Sequence, residues 1–362
     1  MGGREVAAET HSGDAMVTPA TDCSGGRVPD FFIVGHPKCG TTALYEMLKQ
    51  HPQIHMPAKE PRFFVMKEID LSASQSSRPG SLSPPRDSPQ ASDSSRAPGW
   101  RPRTLDGYVA LFAGARPEQL VGEATPAYLR SALAPGRIAA LRPDARIVAI
   151  LREPASFLRS FHLLAVRGYF ETQKDFRKAL ALEQQRREGL RIPRTSRALA
   201  DQLLYLDHVR YVEQLRRYHA AFGREQVLVL IYEDFRRDNE AAVGTVLRFL
   251  GVDHTYAIDT MQTRPSRDLR FHRLHRLVNL RRIALRNMAV VGSLSRTVSA
   301  LTPTPLRGGL QSRWRRVAYG EAPPPDEEFM RELRRRLKPE VEALSDYLGR
   351  DLVTAWGYDD LA

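Results

Sequence analysis

The sequence predicts an α/β fold in which helices flank a central, mostly parallel sheet. Three short apolar, β-branched runs, at residues 31–34, 147–151 and 226–232, are each followed by a turn and a helical pattern. Strands that are apolar throughout are typical of parallel sheets with both faces covered. Because ligands bind such sheets at the carboxyl ends of the strands, we expect the functional site at that edge.

Composition limits the number of domains and the kinds of partner. A chain of 362 residues with 42% hydrophobic residues can bury a large core, and we predict one domain over residues 29–362. The net charge of +12 favours an anionic partner, which could be a nucleic acid, an anionic lipid, a polyanionic sugar or a nucleotide. The two cysteines, Cys23 and Cys39, give no disulfide framework. With no apparent secretion signal or membrane span, we expect a cytoplasmic location.

Two segments have compositions that are typical of disorder. Residues 1–28 are predicted to form a disordered tail, and residues 67–103 a disordered insertion rich in Ser and Pro. Such segments contain too few apolar groups to offset the entropy lost on ordering. The insertion is either a lid or, more simply, a tolerated surface loop.

The first turn, after the strand at 31–34, has the features of a phosphate-binding loop. A helix follows it at once, so unpaired backbone N–H groups and the positive end of the helix dipole would face an anion. Gly35 and Gly40 have the spacing of a nucleotide-binding P-loop, but Thr41 stands where such loops carry lysine, and the lysine lies inside the loop at Lys38. An ordinary strand-to-helix turn with a solvated lysine is the alternative.

This arrangement resembles the loop with which sulfotransferases that use 3′-phosphoadenosine 5′-phosphosulfate (PAPS) bind the 5′-phosphosulfate group. The resemblance implies a P-loop-type three-layer fold, PAPS as the sulfuryl donor, and no metal. It also implies that Lys38 is catalytic, because its charge would neutralise the leaving phosphate. The loop residues predicted to bind the donor are Pro37, Lys38, Cys39, Gly40, Thr41 and Thr42.

A second motif follows the strand at 147–151. Arg152 and Ser160 are separated like the Arg and Ser that contact the 3′-phosphate in the same family, and an arginine offers a permanently charged, planar set of donors. The family also places a basic loop over the nucleotide late in the chain. Arg307, in a Leu-Arg-Gly-Gly segment, is assigned to the cofactor on that resemblance.

The acceptor side is predicted from Lys59-Glu60-Pro61-Arg62-Phe63-Phe64, which resembles a family segment whose Glu deprotonates the acceptor hydroxyl. Glu60 is therefore the candidate general base, although a lone Glu in such a loop is usually only solvated. The residues predicted to bind the acceptor are Glu60, Phe63, Glu123, Tyr128, Tyr205 and His208.

Several of these acceptor residues also have a structural interpretation. Phe63 could belong to the core, Glu123 and Tyr128 could fix a turn, and His208 could lie at a helix start. Ala124 stands where heparan sulfate enzymes carry a lysine, which argues mildly against a glycosaminoglycan acceptor.

The segment 264–316 contains thirteen arginines and one acidic residue. It could be a solvated basic face, part of the nucleotide pocket, or a peripheral contact with an anionic membrane.

The resulting prediction is an O-sulfotransferase that moves the sulfuryl group of PAPS to a carbohydrate, lipid or small-molecule hydroxyl. A P-loop nucleotide kinase or NTPase is disfavoured by Thr41. A non-enzymatic basic protein that binds membrane or nucleic acid is also an alternative, but no nucleic-acid-binding motif is recognised, and we expect no nucleic acid partner. The oligomeric state is not predicted.

Overall fold

A computed structural model describes residues 27–66, 101–260, 267–269, 319–321 and 323–361. Almost all of the predicted tail (1–28) and insertion (67–103) lies outside the described residues. So do Arg307 and most of the basic segment 264–316.

The central sheet has five strands in the order β2-β3-β1-β4-β5, and every pair of neighbours is parallel. The strands are β1 (Phe31–Gly35), β2 (Ile54–His55), β3 (Leu120–Ala124), β4 (Arg146–Leu151) and β5 (Val227–Ile231). Strand β1 pairs with β3 on one side and with β4 on the other. Strands β2 and β3 lie on the first side and β4 and β5 on the second, so β1 lies at the point where the strand order reverses. Two further short strands, β6 (Arg267–Leu269) and β7 (Tyr319–Glu321), pair antiparallel. The predicted α/β fold with a parallel sheet is confirmed.

Eleven α-helices lie within the described ranges. They are α1 (Thr41–Leu48), α2 (Leu105–Val109), α3 (Ala134–Leu141), α4 (Pro154–Arg167), α5 (Phe176–Ala181), α6 (Glu183–Arg187), α7 (Tyr211–Phe222), α8 (Tyr232–Arg237), α9 (Asn239–Leu250), α10 (Glu327–Leu348) and α11 (Leu352–Ala355). Shorter 3₁₀ segments lie at Phe63–Val65, Ala110–Phe112, Arg194–Leu203 and Leu206–Val209.

The core lies between the sheet and these helices. All of β1 is buried, as is β4 after its first residue, which is why both strands are apolar throughout. Helix α10 contacts α4 and α7, and α1 contacts α9. The apolar stripe of α10 from Phe329 to Leu344 is buried, and the helix begins at an Asp326 cap that accepts from the Phe329 N–H.

Two helical regions are interrupted or shortened by local backbone geometry. The charged stretch 174–188 forms two short helices, α5 and α6, which meet at Leu182. Helix α7 begins only at Tyr211, because Arg210 has a non-helical backbone (φ −72°, ψ 62°).

Candidate functional site

The turn between β1 and α1 has the backbone that a phosphate cradle needs. Gly40 precedes α1 with φ 85°, and a Cβ at this position would lie 2.8 Å from Cε1 of Phe235. Glycine is therefore required both by the left-handed conformation and by the close approach of the ring. Lys38 also has a positive φ, 68°. The turn thus delivers the first N–H groups of α1 to the carboxyl edge of the sheet.

Three cations converge on this turn. The pKa of Lys38 is lowered first by burial, then by the positive charges of Arg167 and Arg152. Arg152 follows β4 directly; its Nη1 donates to the Lys38 carbonyl (3.2 Å) and its guanidinium lies 4.7 Å from the Tyr232 ring centroid. Among the described residues, the buried Nε of Arg152 has no hydrogen-bond partner. Clustered, partly desolvated cations disfavour one another, so an anion bound here would be stabilised.

Arg167 was missed by the motif analysis. It lies seven residues after Ser160 on α4, which places both side chains on one helix face. The seven-residue spacing would point to Arg167 only if the helix were already known to continue to that residue, which lies in its last turn. Ser160 itself is buried.

Arg152 is held in place by the elements that surround it. The Tyr211 hydroxyl donates to the Arg152 carbonyl (3.0 Å). Next to it, Glu153 caps α4 by accepting from the Ala155 and Ser156 N–H groups (2.9 and 2.8 Å). The Tyr358 hydroxyl, near the end of the described chain, also donates to Glu153. Tyr358 and Tyr211 therefore help to fix the junction between β4 and α4 that presents Arg152.

The remaining loop residues have different surroundings. Cys39 is fully buried, its Sγ lies 3.6 Å from the Pro37 carbonyl oxygen, and burial raises the pKa of its thiol. Thr41 is buried, whereas Thr42 is exposed and accepts a hydrogen bond from Lys59. Cys39 therefore supports the loop from inside, and Thr42 faces the next segment.

The segment that carries Glu60 reaches the same edge of the sheet. Lys59 forms a parallel bridge with Ala124 at the end of β3, and the Glu60 N–H donates to the Ala124 carbonyl (2.9 Å). The Lys59 ammonium contacts Thr42 Oγ1 and lies 3.7 Å from Glu60 Oε1. One ammonium thus joins the phosphate-binding turn to the candidate base.

Glu123, Tyr128 and Phe63 lie behind that segment. Glu123 is fully buried and accepts from Thr125 (2.6 Å), Tyr128 (3.2 Å) and Tyr108. Burial raises the pKa of Glu123 to about 7. Phe63 stacks on Tyr108 with ring centroids 4.5 Å apart. These contacts favour the structural interpretation, in which the three residues fix the Glu60 segment against β3, and acceptor contact by them stays a prediction.

Tyr205 and His208 are buried as well. The Tyr205 hydroxyl donates to Glu171 Oε2 (3.0 Å) and lies 3.0 Å from His162 Nδ1. His208 Nε2 donates to the Gln202 carbonyl (3.1 Å), and its pKa is held well below the ordinary value by burial. Both side chains are bonded within the protein, so their predicted acceptor contact is untested and gains no support from this arrangement.

The described ranges contain no group of three or more His, Cys, Asp or Glu side chains arranged to hold a metal ion. No helix within these ranges is long and apolar enough to span a membrane.

Comparison with known proteins gives concordant matches. The model of the "Sulfotransferase family" matches residues 29–256. The crystal structure of a sulfotransferase from Alicyclobacillus acidocaldarius is similar with a TM-score of 0.58 and 28% identity, covering 91% of this chain and 99% of that one.

Two curated relatives cover less of this chain than that crystal structure does. A bifunctional heparan sulfate N-deacetylase/N-sulfotransferase 1 from Xenopus laevis is 27% identical over 66% of this chain and 23% of its own length. Human heparan sulfate glucosamine 3-O-sulfotransferase 6 is 29% identical over 42% of this chain and 35% of its own length. The chain therefore spans about a quarter to a third of these relatives.

Proposed function

The chain belongs to the sulfotransferase family, and we propose that it transfers a sulfuryl group from PAPS to a hydroxyl group of an acceptor. The predicted family is confirmed. The O-sulfotransferase activity, the donor, the acceptor and the roles of individual residues are the proposal.

One observation supports this function most strongly. The turn that would hold the phosphosulfate and the carboxylate that would accept a proton contact the same ammonium, that of Lys59. Transfer of a sulfuryl group requires an anion-binding turn and a base within reach of one another. These two parts are separated by about twenty residues in the sequence and meet at the carboxyl edge of the sheet.

In the proposed step, the acceptor oxygen attacks sulfur in line with the bond to the 5′-phosphate. The new oxygen–sulfur bond forms as the sulfur–oxygen bond to the phosphate breaks, and Glu60 takes the proton of the acceptor hydroxyl. The products are the sulfate ester and 3′-phosphoadenosine 5′-phosphate (PAP). Lys38 would stabilise negative charge that develops on the departing phosphate, together with the N–H groups at the start of α1.

Arg152 and Ser160 are proposed to hold the 3′-phosphate, and Arg167 to contribute positive charge on the same face of α4. The buried, unpartnered Nε of Arg152 fits an anionic ligand. The assignment of Arg307 rests on the sequence alone and stays a prediction, as does membrane contact by the basic segment.

The acceptor is proposed to be a carbohydrate, lipid or small-molecule hydroxyl. The relatives named above act, by their names, on heparan sulfate or its glucosamine, which supports a carbohydrate. The cytoplasmic location is proposed from sequence alone.

The test is label transfer from radiolabelled PAPS in EDTA to a panel of oligosaccharides, hydroxylipids and phenols. We expect a labelled sulfate ester with the wild type, a loss of about 100-fold or more in Lys38→Ala, and a loss of about 100- to 10,000-fold in Glu60→Gln. Lys49→Ala, which removes a lysine from the opposite end of α1, is the matched control and should retain activity. Magnesium-dependent phosphate release from ATP, without label transfer, would instead support the NTPase alternative.

A further inference from the structure

The Glu60 carboxylate is already held in an ion pair with a neighbouring arginine. Arg62 Nη2 lies 2.9 Å from Glu60 Oε2, and the Lys59 ammonium lies 3.7 Å from the other carboxylate oxygen. Both oxygens of the proposed base thus face positive charge. A base that must take a proton from the acceptor has to be at least partly released from these contacts.

The backbone presents this pair in an unusual conformation. Glu60 and Arg62, on either side of Pro61, both have left-handed φ values, 60° and 57°. Non-glycine residues hold this conformation only where their surroundings enforce it, and such residues are concentrated at functional sites. Here the Glu60 N–H donates to the Ala124 carbonyl, and the Arg62 N–H donates weakly to Thr125 Oγ1 (3.4 Å).

The ion pair is accessible and can be exchanged. The side chain of Arg62 is 40% exposed and that of Glu60 is 34% exposed. Pairs with this exposure contribute little to stability, because water competes for both charges. An incoming anion can therefore replace the carboxylate at Arg62 without disrupting the fold.

The local charge favours such an anion. Arg101, exposed at the start of the second described range, interacts electrostatically with both Arg62 and Glu60. Its pKa is lowered by partial burial and then by the charge of Arg62. Lys59 and Arg62 therefore contact the Glu60 carboxylate, and Arg101 adds a third positive charge to its electrostatic surroundings.

Resting on the proposed function, we propose that the acceptor carries a carboxylate or sulfate group that binds Arg62 in place of the Glu60 carboxylate, and that this exchange frees Glu60 to act as the base. Ala124 does not oppose an anionic acceptor, since it is fully buried and the cations come from the facing segment. Arg62 is thus a specificity residue, and an acceptor without a negative charge leaves Glu60 paired.

The test uses hydroxyl compounds in matched neutral and acidic forms: glucose and glucuronate, phenol and 4-hydroxybenzoate, and dodecanol and 12-hydroxydodecanoate. Binding of each to the PAP-saturated protein is measured by ligand-observed NMR. We expect the acidic member of at least one pair to bind about tenfold or more tightly than its neutral partner. Arg62→Gln should remove that difference. Arg116→Gln should not, because Arg116 forms an exposed pair with Glu118, two residues away, as Arg62 does with Glu60.

For any pair that is also sulfated, Arg62→Gln should raise the KM of the acidic acceptor and leave that of the neutral one unchanged. The inference is contradicted if neutral members bind as well as acidic ones, if no acidic member binds, or if Arg62→Gln keeps the preference. PAP affinity, measured in the same samples, separates the two proposals: failure to bind PAP contradicts the proposed function, whereas PAP binding without an anion preference contradicts only the role of Arg62.

Discussion

Glu123 should make the stability of the fold depend on pH, and Glu123→Gln should remove that dependence. Glu123 is fully buried, and burial raises its pKa from 4.5 to about 7. Between these values the unfolded chain releases the proton while the folded protein retains it, so the free energy of unfolding falls as pH rises. The difference between the two pKa values corresponds to a loss of about 3 kcal/mol in the free energy of unfolding. This loss is absent below pH 4.5 and complete above pH 7.

Glutamine at position 123 keeps the shape of the protonated acid and carries no charge at any pH. We therefore expect the difference in stability between Glu123→Gln and wild type to shift in favour of the variant by about 3 kcal/mol from about pH 4.5 to about pH 8. Urea unfolding followed by circular dichroism measures it. The difference is the quantity to use, because buried histidines with lowered pKa values, such as His36 and His162, act in the opposite direction in both proteins.

Glu118→Gln is the control, because Glu118 is 63% exposed and forms a surface ion pair with Arg116. Its stability relative to wild type should change little over the same range. A difference between Glu123→Gln and wild type that is constant with pH would refute the reasoning, since Glu123 would then titrate alike in the folded and unfolded chain.

Three further predictions follow from buried contacts. Arg186→Met should lower the free energy of unfolding by about 3 to 5 kcal/mol in urea titrations, because it leaves the fully buried Glu171 carboxylate without its partner at 2.8 Å; an unchanged midpoint would contradict this. Gly40→Ala should cost about 1 to 3 kcal/mol and weaken PAP binding, since φ is 85° and the new methyl would meet Phe235 at 2.8 Å; wild-type affinity and stability would exclude the tight turn. The Cys39 thiol, buried and with a raised pKa, should react with Ellman's reagent in a Cys23→Ser background only as the protein unfolds; rapid reaction of the folded protein would show that the loop interior is open.

The parts of the fold and site that were predictable from sequence are local. Strand β1, the turn around Lys38 and α1 follow one another directly, so the apolar pattern, the glycine spacing and the positive charge all appear within residues 31–48. Arg152 follows its strand in the same way. The parallel sheet is predictable because helical patterns separate the strands in the sequence, and helical crossovers connect parallel strands.

What could not be predicted depends on distant contacts or on backbone dihedral angles. Arg167 acts electrostatically on Lys38 although the two residues lie far apart in the sequence, and no local motif marks Arg167. The sequence does not show that the side chains of Glu123 and Tyr205 find hydrogen-bond partners inside the core. The left-handed conformations of Glu60 and Arg62 are set by hydrogen bonds to the end of β3, which lies about sixty residues away.

The central claim is that the cationic turn recognises a nucleotide with both a 5′-phosphate and a 3′-phosphate. Calorimetric binding of PAP, compared with AMP and ADP, tests it without knowledge of the acceptor. We predict magnesium-independent binding of PAP that exceeds that of AMP, and a loss of about 2 kcal/mol, or roughly thirtyfold in affinity, in Arg152→Ala but not in the exposed control Arg116→Ala. Equal binding of PAP, AMP and ADP, or PAP binding that is unaffected in Arg152→Ala, would contradict the account.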